Sequence, residues 1–234
     1  IAGCGTGQHS IETASRFQDC RVLAVDLSSN SLAYANRKTE ELGIKNIEYL
    51  QADILDLGKL DRQFDIIESV GVLHHMDDPM AGWRVLTDRL KPGGLMKIGL
   101  YSELARKPFI NIRAIIEATG LKCEQKDMIA FRAEIKEGKH PNVSEVMSWE
   151  DFYSLSGFRD LAFHVQEHRF TLPQIRDCLT KLGLEFCGLE ENQIVQNFKL
   201  KNFDPDDPYD LTKWHAFEEH NPNIFAGMYQ FWCQ

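Results

Sequence analysis

The sequence predicts an α/β chain wound as a mostly parallel sheet with helices on both faces, and three observations predict it. Gly3-Cys4-Gly5-Thr6-Gly7 puts a glycine at every second position just before a helix opening near Gln8, as in a strand that turns sharply around a ligand. Short β-branched runs and helical-period segments then alternate, with short connections, as far as Tyr101. That order requires parallel strands joined by right-handed crossovers. The glycine loop, Asp26, Asp53 and the segment from Glu68 to His75 all fall at the carboxyl ends of these runs, where an open α/β sheet binds its ligand.

The elements follow in order. Ile11, Ala14 and Phe17 recur at helical spacing, and Arg21 to Asp26 reads as a short buried strand. Ser28 or Ser29 caps a helix with Leu32, Ala35 and Leu42 on its apolar face and Gly43 as its stop. Asn46 to Ala52 is the next strand, closed by Asp53, and Phe64 to Val70 the one after. Asp78-Pro79 opens a helix bearing Trp83, Leu86 and Leu90, which Lys91-Pro92-Gly93-Gly94 breaks before a fifth strand, Leu95 to Tyr101. Helical pieces follow: Phe109, Ile112 and Ile116 share a face, Lys122 to His140 is charged, and Ser148-Trp149-Glu150-Asp151 reads as a capping box. Leu161 to Val165 reads as a strand, Pro173 to Leu182 as a helix and Leu184 to Leu189 as a strand. The tail, with Trp214, Phe217, Phe225, Tyr229 and Trp232, reads as aromatic-rich helices.

The 234 residues suffice for one domain with an elaboration. The expected division is a cofactor-binding half at 1–102, a helical insertion at 103–159, the last two strands at 160–190 and a helical tail at 191–234. Only two residues precede Gly3, fewer than a strand needs, so the natural chain is expected to extend further toward the N-terminus. A net charge of -9 argues against nucleic acid, whose phosphates need clustered Lys and Arg. No apolar run has the roughly 18–20 residues that cross a bilayer. The six cysteines show no C-x-x-C pair and no zinc spacing, as expected of free thiols in a reducing cytoplasm.

Glycine spacing narrows the ligand. A dinucleotide loop reads G-x-G-x-x-G, its third glycine packing the helix beside a pyrophosphate; here that position is Gln8 and the extra glycine comes one residue early, at Gly7. The spacing favours a nucleoside-type cofactor without a pyrophosphate, S-adenosylmethionine first among them, over nicotinamide and flavin dinucleotides. Asp26 follows Gly7 at the reach from which an acid accepts from both ribose hydroxyls, although it would also serve as a helix-capping acid before Ser28. Asp53 can accept from an adenine amine, with Ile54 and Leu27 as apolar walls, or be an ordinary turn acid.

These residues carry a resemblance. Ile1 to Gly7, Val25-Asp26-Leu27-Ser28, Gln51-Ala52-Asp53-Ile54, Phe64 through Pro79, and Leu90-Lys91-Pro92-Gly93-Gly94 resemble, in the same order, class I S-adenosylmethionine-dependent methyltransferases. Asp151 to Ser156, Arg159-Asp160-Leu161 and His164 to His168 look like bacterial methyltransferase domains associated with tetratricopeptide repeats. The resemblance implies a Rossmann-like, seven-stranded sheet with its last strand antiparallel and a helical insertion after the fifth strand. It implies a cofactor lying across Gly3, Gly5, Gly7 and Gln8 and reaching Asp26, Leu27, Asp53, Ile54 and Val70, and a repeat region earlier in the parent chain. The chain departs from the pattern at Ile1, where the family often has an acid, so backbone carbonyls near Gly3 or Val70 are expected to take that acid's part.

Methyl transfer from a sulfonium needs alignment above all, and a base only where the acceptor must lose a proton. The candidates are His74, with His75 beside it, and Glu167 with His168; the bland alternatives are a loop hydrogen bond and a solvated strand end. Phe152, Tyr153, Phe163 and Arg159 suit either an acceptor pocket or plain core. The expected acceptor is a small molecule or a protein, with no metal. A cofactor-binding regulatory module that methylates nothing is the alternative from another class, and a nucleotide-dependent dehydrogenase, disfavoured by Gln8, is a third.

Overall fold

A computed structural model describes residues 1–163 and 167–234. In chain order these form α1 (Gln8–Arg16), β1 (Val22–Asp26), α2 (Ser29–Glu41), β2 (Ile47–Gln51), β3 (Phe64–Val70), α3 (Pro79–Asp88) and β4 (Leu90–Leu100). The second part contains α4 (Lys107–Thr119), α5 (Gln125–Lys136), α6 (Leu155–Phe158), α7 (Leu172–Leu182), β5 (Phe186–Leu189), α8 (Asn192–Lys199), α9 (Leu211–His220) and β6 (Tyr229–Cys233).

The strands form a parallel pair, β1 with β2, and a four-stranded mixed sheet in the order β3-β4-β6-β5, in which β6 runs antiparallel to both neighbours. The expected seven-stranded sheet is thus corrected to two sheets with a short bridge between them. Ile1 and Ala2 stand in the gap: Val25 N–H donates to Ile1 O (2.9 Å), and Ala2 N–H donates to Glu68 O (2.8 Å). Two residues cannot carry the ladder of a full strand.

Local chemistry explains each boundary. Ser28 caps α2 by accepting from Ser31 N–H (3.2 Å). Leu32 and Ala35 are buried, but Leu42 stands in solvent and Thr39 is the inward residue of that last turn, its hydroxyl bonded to Ala35 O and Tyr49. Asp78 caps α3, which ends before Leu90. Leu90 instead pairs with Phe64, and the ladder resumes at Ile66 and Leu95, so Lys91-Pro92-Gly93-Gly94 is an excursion within β4. No capping box forms at Ser148; one forms at the start of α7, where Thr171 and Gln174 each satisfy the other's backbone N–H.

Two expectations about strands fail for one reason, the period of burial. Leu161, Ala162 and Phe163 are buried consecutively and form a wide helical turn, not a strand; a half-buried strand would alternate. His164 and Val165 lie outside the described residues. Tyr229, Phe231 and Cys233 are buried while Gln230 and Trp232 between them are less so, and that period of two makes the end of the tail a strand. The insertion has its own apolar cluster of Phe109, Ile112, Phe131, Phe152, Phe158 and Phe163. Phe152 and Phe163 are therefore core, while Tyr153 is exposed.

The tail is joined to the sheet by a buried polar knot. Glu218 of α9 is wholly buried and accepts from Ser102 Oγ (2.6 Å) and from Tyr229 OH (2.7 and 2.8 Å). Burial, opposed by those two donors and by His215, holds the Glu218 carboxyl above its ordinary range. Burial and the neighbouring carboxylate push the Tyr229 phenol up as well. With its folded pKa above the unfolded one, Glu218 favours folding in the protonated state, so its contribution falls as pH rises through that interval. Glu218→Gln keeps an acceptor for both hydroxyls without the charge. Its melting temperature relative to the parent is expected to be higher at pH 8 than at pH 5, by an amount set by about 1.4 kcal/mol per unit of displacement. An offset that does not change with pH would refute the buried-charge account.

Candidate functional site

The glycine loop turns at the end of the two-residue bridge. Gly3 and Cys4 N–H both donate to Val25 O (2.8 and 2.9 Å), and Gly7 N–H donates to Cys4 O (2.9 Å). A Cβ at Gly3 would lie 2.2 Å from Val72, so that glycine is fixed by the close approach of the loop after β3. Gly5 differs: its φ is +52°, and a Cβ there would meet nothing within 4 Å. The backbone is therefore bare on an open side at Gly5, the form of a cradle for a ligand. Gly7 then leads into α1, whose first residue, Gln8, is exposed and whose opening amide groups have no partner within the helix.

Asp26, at the end of β1, holds this loop. Its Oδ2 accepts from Gly5 N–H (2.7 Å) and its Oδ1 from Ser28 N–H (2.9 Å). Each carboxylate oxygen retains a second lone pair. Leu27 beside it is 65% exposed, and its carbonyl accepts from Gln51 Nε2 (3.1 Å), tying the ends of β1 and β2 together. Asp53, after β2, caps a short turn through Leu55 N–H (2.8 Å), and Ile54 is buried next to it. Val70 ends β3, and Gly71 N–H donates to Gly99 O (3.2 Å).

The structure sets His74 against Tyr101, ties His168 to His74 through the main chain, and links Glu167 to Tyr101 through Arg106. His74 is fully buried, its ring centroid 4.0 Å from Tyr101 and 4.3 Å from His75. His168 N–H donates to His74 O (2.8 Å). Glu167 is not on a solvated strand end: its side chain is buried, and its Oε2 lies 2.7 Å from Arg106 and 2.9 Å from Arg113. Nearby, between the insertion and the loop before β6, a cleft of about 230 Å³ is lined by Glu145, Ser148, Trp149, Asn223 and Ala226. Trp149 packs edge-on against Phe109 (4.7 Å), which in turn lies under Arg106. Among the described residues no group of three or more His, Cys, Asp or Glu is placed to hold a metal ion, and no helix is long and apolar enough to cross a membrane. The six cysteines are free thiols.

Sequence alone does not mark Tyr101, Arg106, Arg113 or His9. The seven-residue spacing of the two arginines, which puts both on one helical face, is the signal that points to the pair. His9 has none. In the fold it meets Glu68 at 2.5 Å, beside the glycine loop. The Glu68 hydrogen bond, against partial burial, holds the His9 imidazole above its ordinary value. Burial pushes Glu68 up, but the His9 bond and the charges of His9 and Lys97 outweigh it and leave the carboxyl low.

Comparisons with known proteins give similarities in sequence and in fold. Residues 2–94 match a methyltransferase-domain family. Over 92% of its length the chain is 30% identical to an uncharacterized protein of Synechococcus sp., covering 54% of that protein. Over half its length it is 30% identical to phosphoethanolamine N-methyltransferase 1 of Arabidopsis thaliana, covering 24% of that enzyme. Its fold is similar to PKMT2 from Rickettsia typhi, solved in complex with AdoHcy, at TM-score 0.72 and 16% identity over 99% of this chain and 47% of that one. The chain thus spans about half the length or less of these relatives. Residues 2–94 are thus similar to a methyltransferase domain, and the fold is similar to that of a protein solved with AdoHcy.

Two measurements check this geometry. Gly5→Ala is expected to weaken S-adenosylhomocysteine binding at least tenfold, with a stability cost of only about 1–2 kcal/mol for the left-handed backbone; Gly3→Ala, which collides with Val72, is expected to lower the melting temperature far more. Equal effects of the two substitutions on binding and on melting would sink the assignment of Gly5. The raised His9 value means its share of stability is complete below about pH 6.5 and lost as pH rises through the folded value. The lowered Glu68 value means that share is lost only in acid. His9→Gln is therefore expected to cost up to about 1 kcal/mol at pH 6, the pair being partly exposed, and little at pH 9, read by urea denaturation at both.

Proposed function

We propose that this chain transfers a methyl group from S-adenosylmethionine to a small-molecule or protein acceptor presented beyond β3 and β4. The observation that carries the reading is the pairing of the bare backbone at Gly5 with the carboxylate of Asp26, 2.7 Å away at the end of the adjoining strand. A nucleoside bearing an amino acid needs both groups. The free lone pairs of Asp26 suit ribose hydroxyls, and the amide groups opening α1 suit a carboxylate. Asp53 and Ile54, with the exposed Leu27, suit the edge and faces of an adenine ring.

The bound cofactor supplies a methyl group already activated on a sulfonium. What remains for the chain is to hold the acceptor in line and to keep water away, and alignment of this kind accounts for much of the acceleration in two-substrate reactions. The burial of His74 against Tyr101 supports a role for it in taking or holding an acceptor proton. Burial of His74 and of the whole Glu167 side chain supports a water-poor acceptor side.

Asp26→Ala is expected to weaken S-adenosylhomocysteine binding at least a hundredfold in calorimetry, about 2.7 kcal/mol, because hydrogen bonds to a charged group are worth about 1.5–3 kcal/mol each. Unchanged affinity overturns the ribose assignment. Tritium from methyl-labelled S-adenosylmethionine should pass to a component of bacterial cell extract with the parent protein and not with Asp26→Ala. Binding without any such transfer would make the chain a non-catalytic module.

A further inference from the structure

We infer that Arg106, Arg113 and Glu167 form a positioning clamp that sets the place of His74, and that Glu167 acts through this clamp, not as a proton acceptor; the inference rests on the methyl-transfer reading above. Arg106 stands at the N-terminal end of α4 and Arg113 two turns further along the same face. Nη2 of each reaches the same oxygen of Glu167, and the Arg106 and Glu167 side chains are 2% and 0% exposed. Ions buried this deeply stabilise a fold less than apolar side chains of the same volume would. What they fix is geometry, since a carboxylate between two guanidinium groups has few other arrangements.

The geometry leads to His74 by two routes. Through side chains, the Arg106 guanidinium lies over the Tyr101 ring at 3.7 Å, and that ring lies against the His74 imidazole at 4.0 Å. Through the main chain, the residue after Glu167 donates its N–H to the carbonyl of His74 (2.8 Å). Two residues on, Phe170 N–H donates to Tyr101 O and Phe170 O accepts from Glu103 N–H, each at 2.9 Å. Arg106, Tyr101, His74, His168 and Glu167 thus close a ring of contacts. The ring and the backbone of His74 are both held by groups that the clamp locates. The insertion, which contributes both arginines, is by this route joined to the loop after β3.

The test uses the full chain with Glu167→Gln, Arg113→Lys, Arg106→Lys and Arg106→Gln. Three quantities are read: the His74 ring signals in histidine-labelled protein, assigned with His74→Gln; calorimetric S-adenosylhomocysteine affinity; and tritium transfer into bacterial cell extract. Glu167→Gln is expected to move the His74 signals and to lower transfer at least tenfold while affinity stays within twofold. Arg106→Lys is expected to restore part of the transfer that Arg106→Gln loses. Should Glu167→Gln not fold, Arg113→Lys carries the same expectation with a smaller shift. The clamp is refuted if the His74 signals stay in place, or if transfer falls only in step with cofactor affinity. A parent protein that binds no S-adenosylhomocysteine would refute the methyl-transfer reading instead, and the ring signals would still report on the clamp.

Discussion

The shape of the glycine loop depends on one carboxylate. Asp26 joins the glycine loop to the start of α2 by accepting from Gly5 N–H with one oxygen and Ser28 N–H with the other. Hydrogen bonds to an ionised acceptor are roughly twice as strong as neutral ones. A loop without side chains at three of its five positions is ordered by this carboxylate together with the backbone bonds of Gly3 and Cys4 to Val25 and of Gly7 to Cys4. The acid at the end of β1 therefore also shapes the backbone of the loop beside it, so a change at Asp26 alters both the charge and the loop.

The cluster around His74 and Tyr101 is built on the opposite principle. There the side chains are large, aromatic and charged, and they come from three separate stretches of chain: the loop after β3, the end of β4 with α4, and the segment leading to α7. The apolar cluster of the insertion is distinct from that of the sheet. The Arg106–Glu167–Arg113 group and the Ser102–Glu218–Tyr229 knot sit where these parts meet the sheet. Polar junctions demand particular partners at particular angles, and apolar surfaces alone would leave the insertion freer to slide.

The first part of the fold was legible in sequence because its signals are local. A glycine loop, an acid at the end of the next strand and a capping serine each leave a local signal, so spacing places Gly5 and Asp26 and narrows the cap to Ser28 or Ser29, of which the structure uses Ser28. The remainder depends on contacts that sequence does not order. Tyr229, Phe231 and Cys233 alternate like a strand, yet the neighbouring aromatics Trp214, Phe217 and Phe225 obscure that period and suggest one helical tail. Leu161 to Phe163 looks apolar enough for a strand, but it belongs to the apolar cluster of the insertion. His9 and Arg113 acquire meaning only through partners 59 and 54 residues away, Glu68 and Glu167.

The placement of β6 bears on how the molecule is made. It lies between β4 and β5, and Met96 pairs with Cys233, 137 positions further along the chain. Pairings over such separations close slowly. During synthesis β3 and β4 emerge early with one edge of β4 unsatisfied, and that edge stays open until Tyr229–Cys233 has left the ribosome. An unpaired, apolar strand edge attracts other chains. The nascent chain therefore passes through an interval in which this edge is open to pairing with other chains.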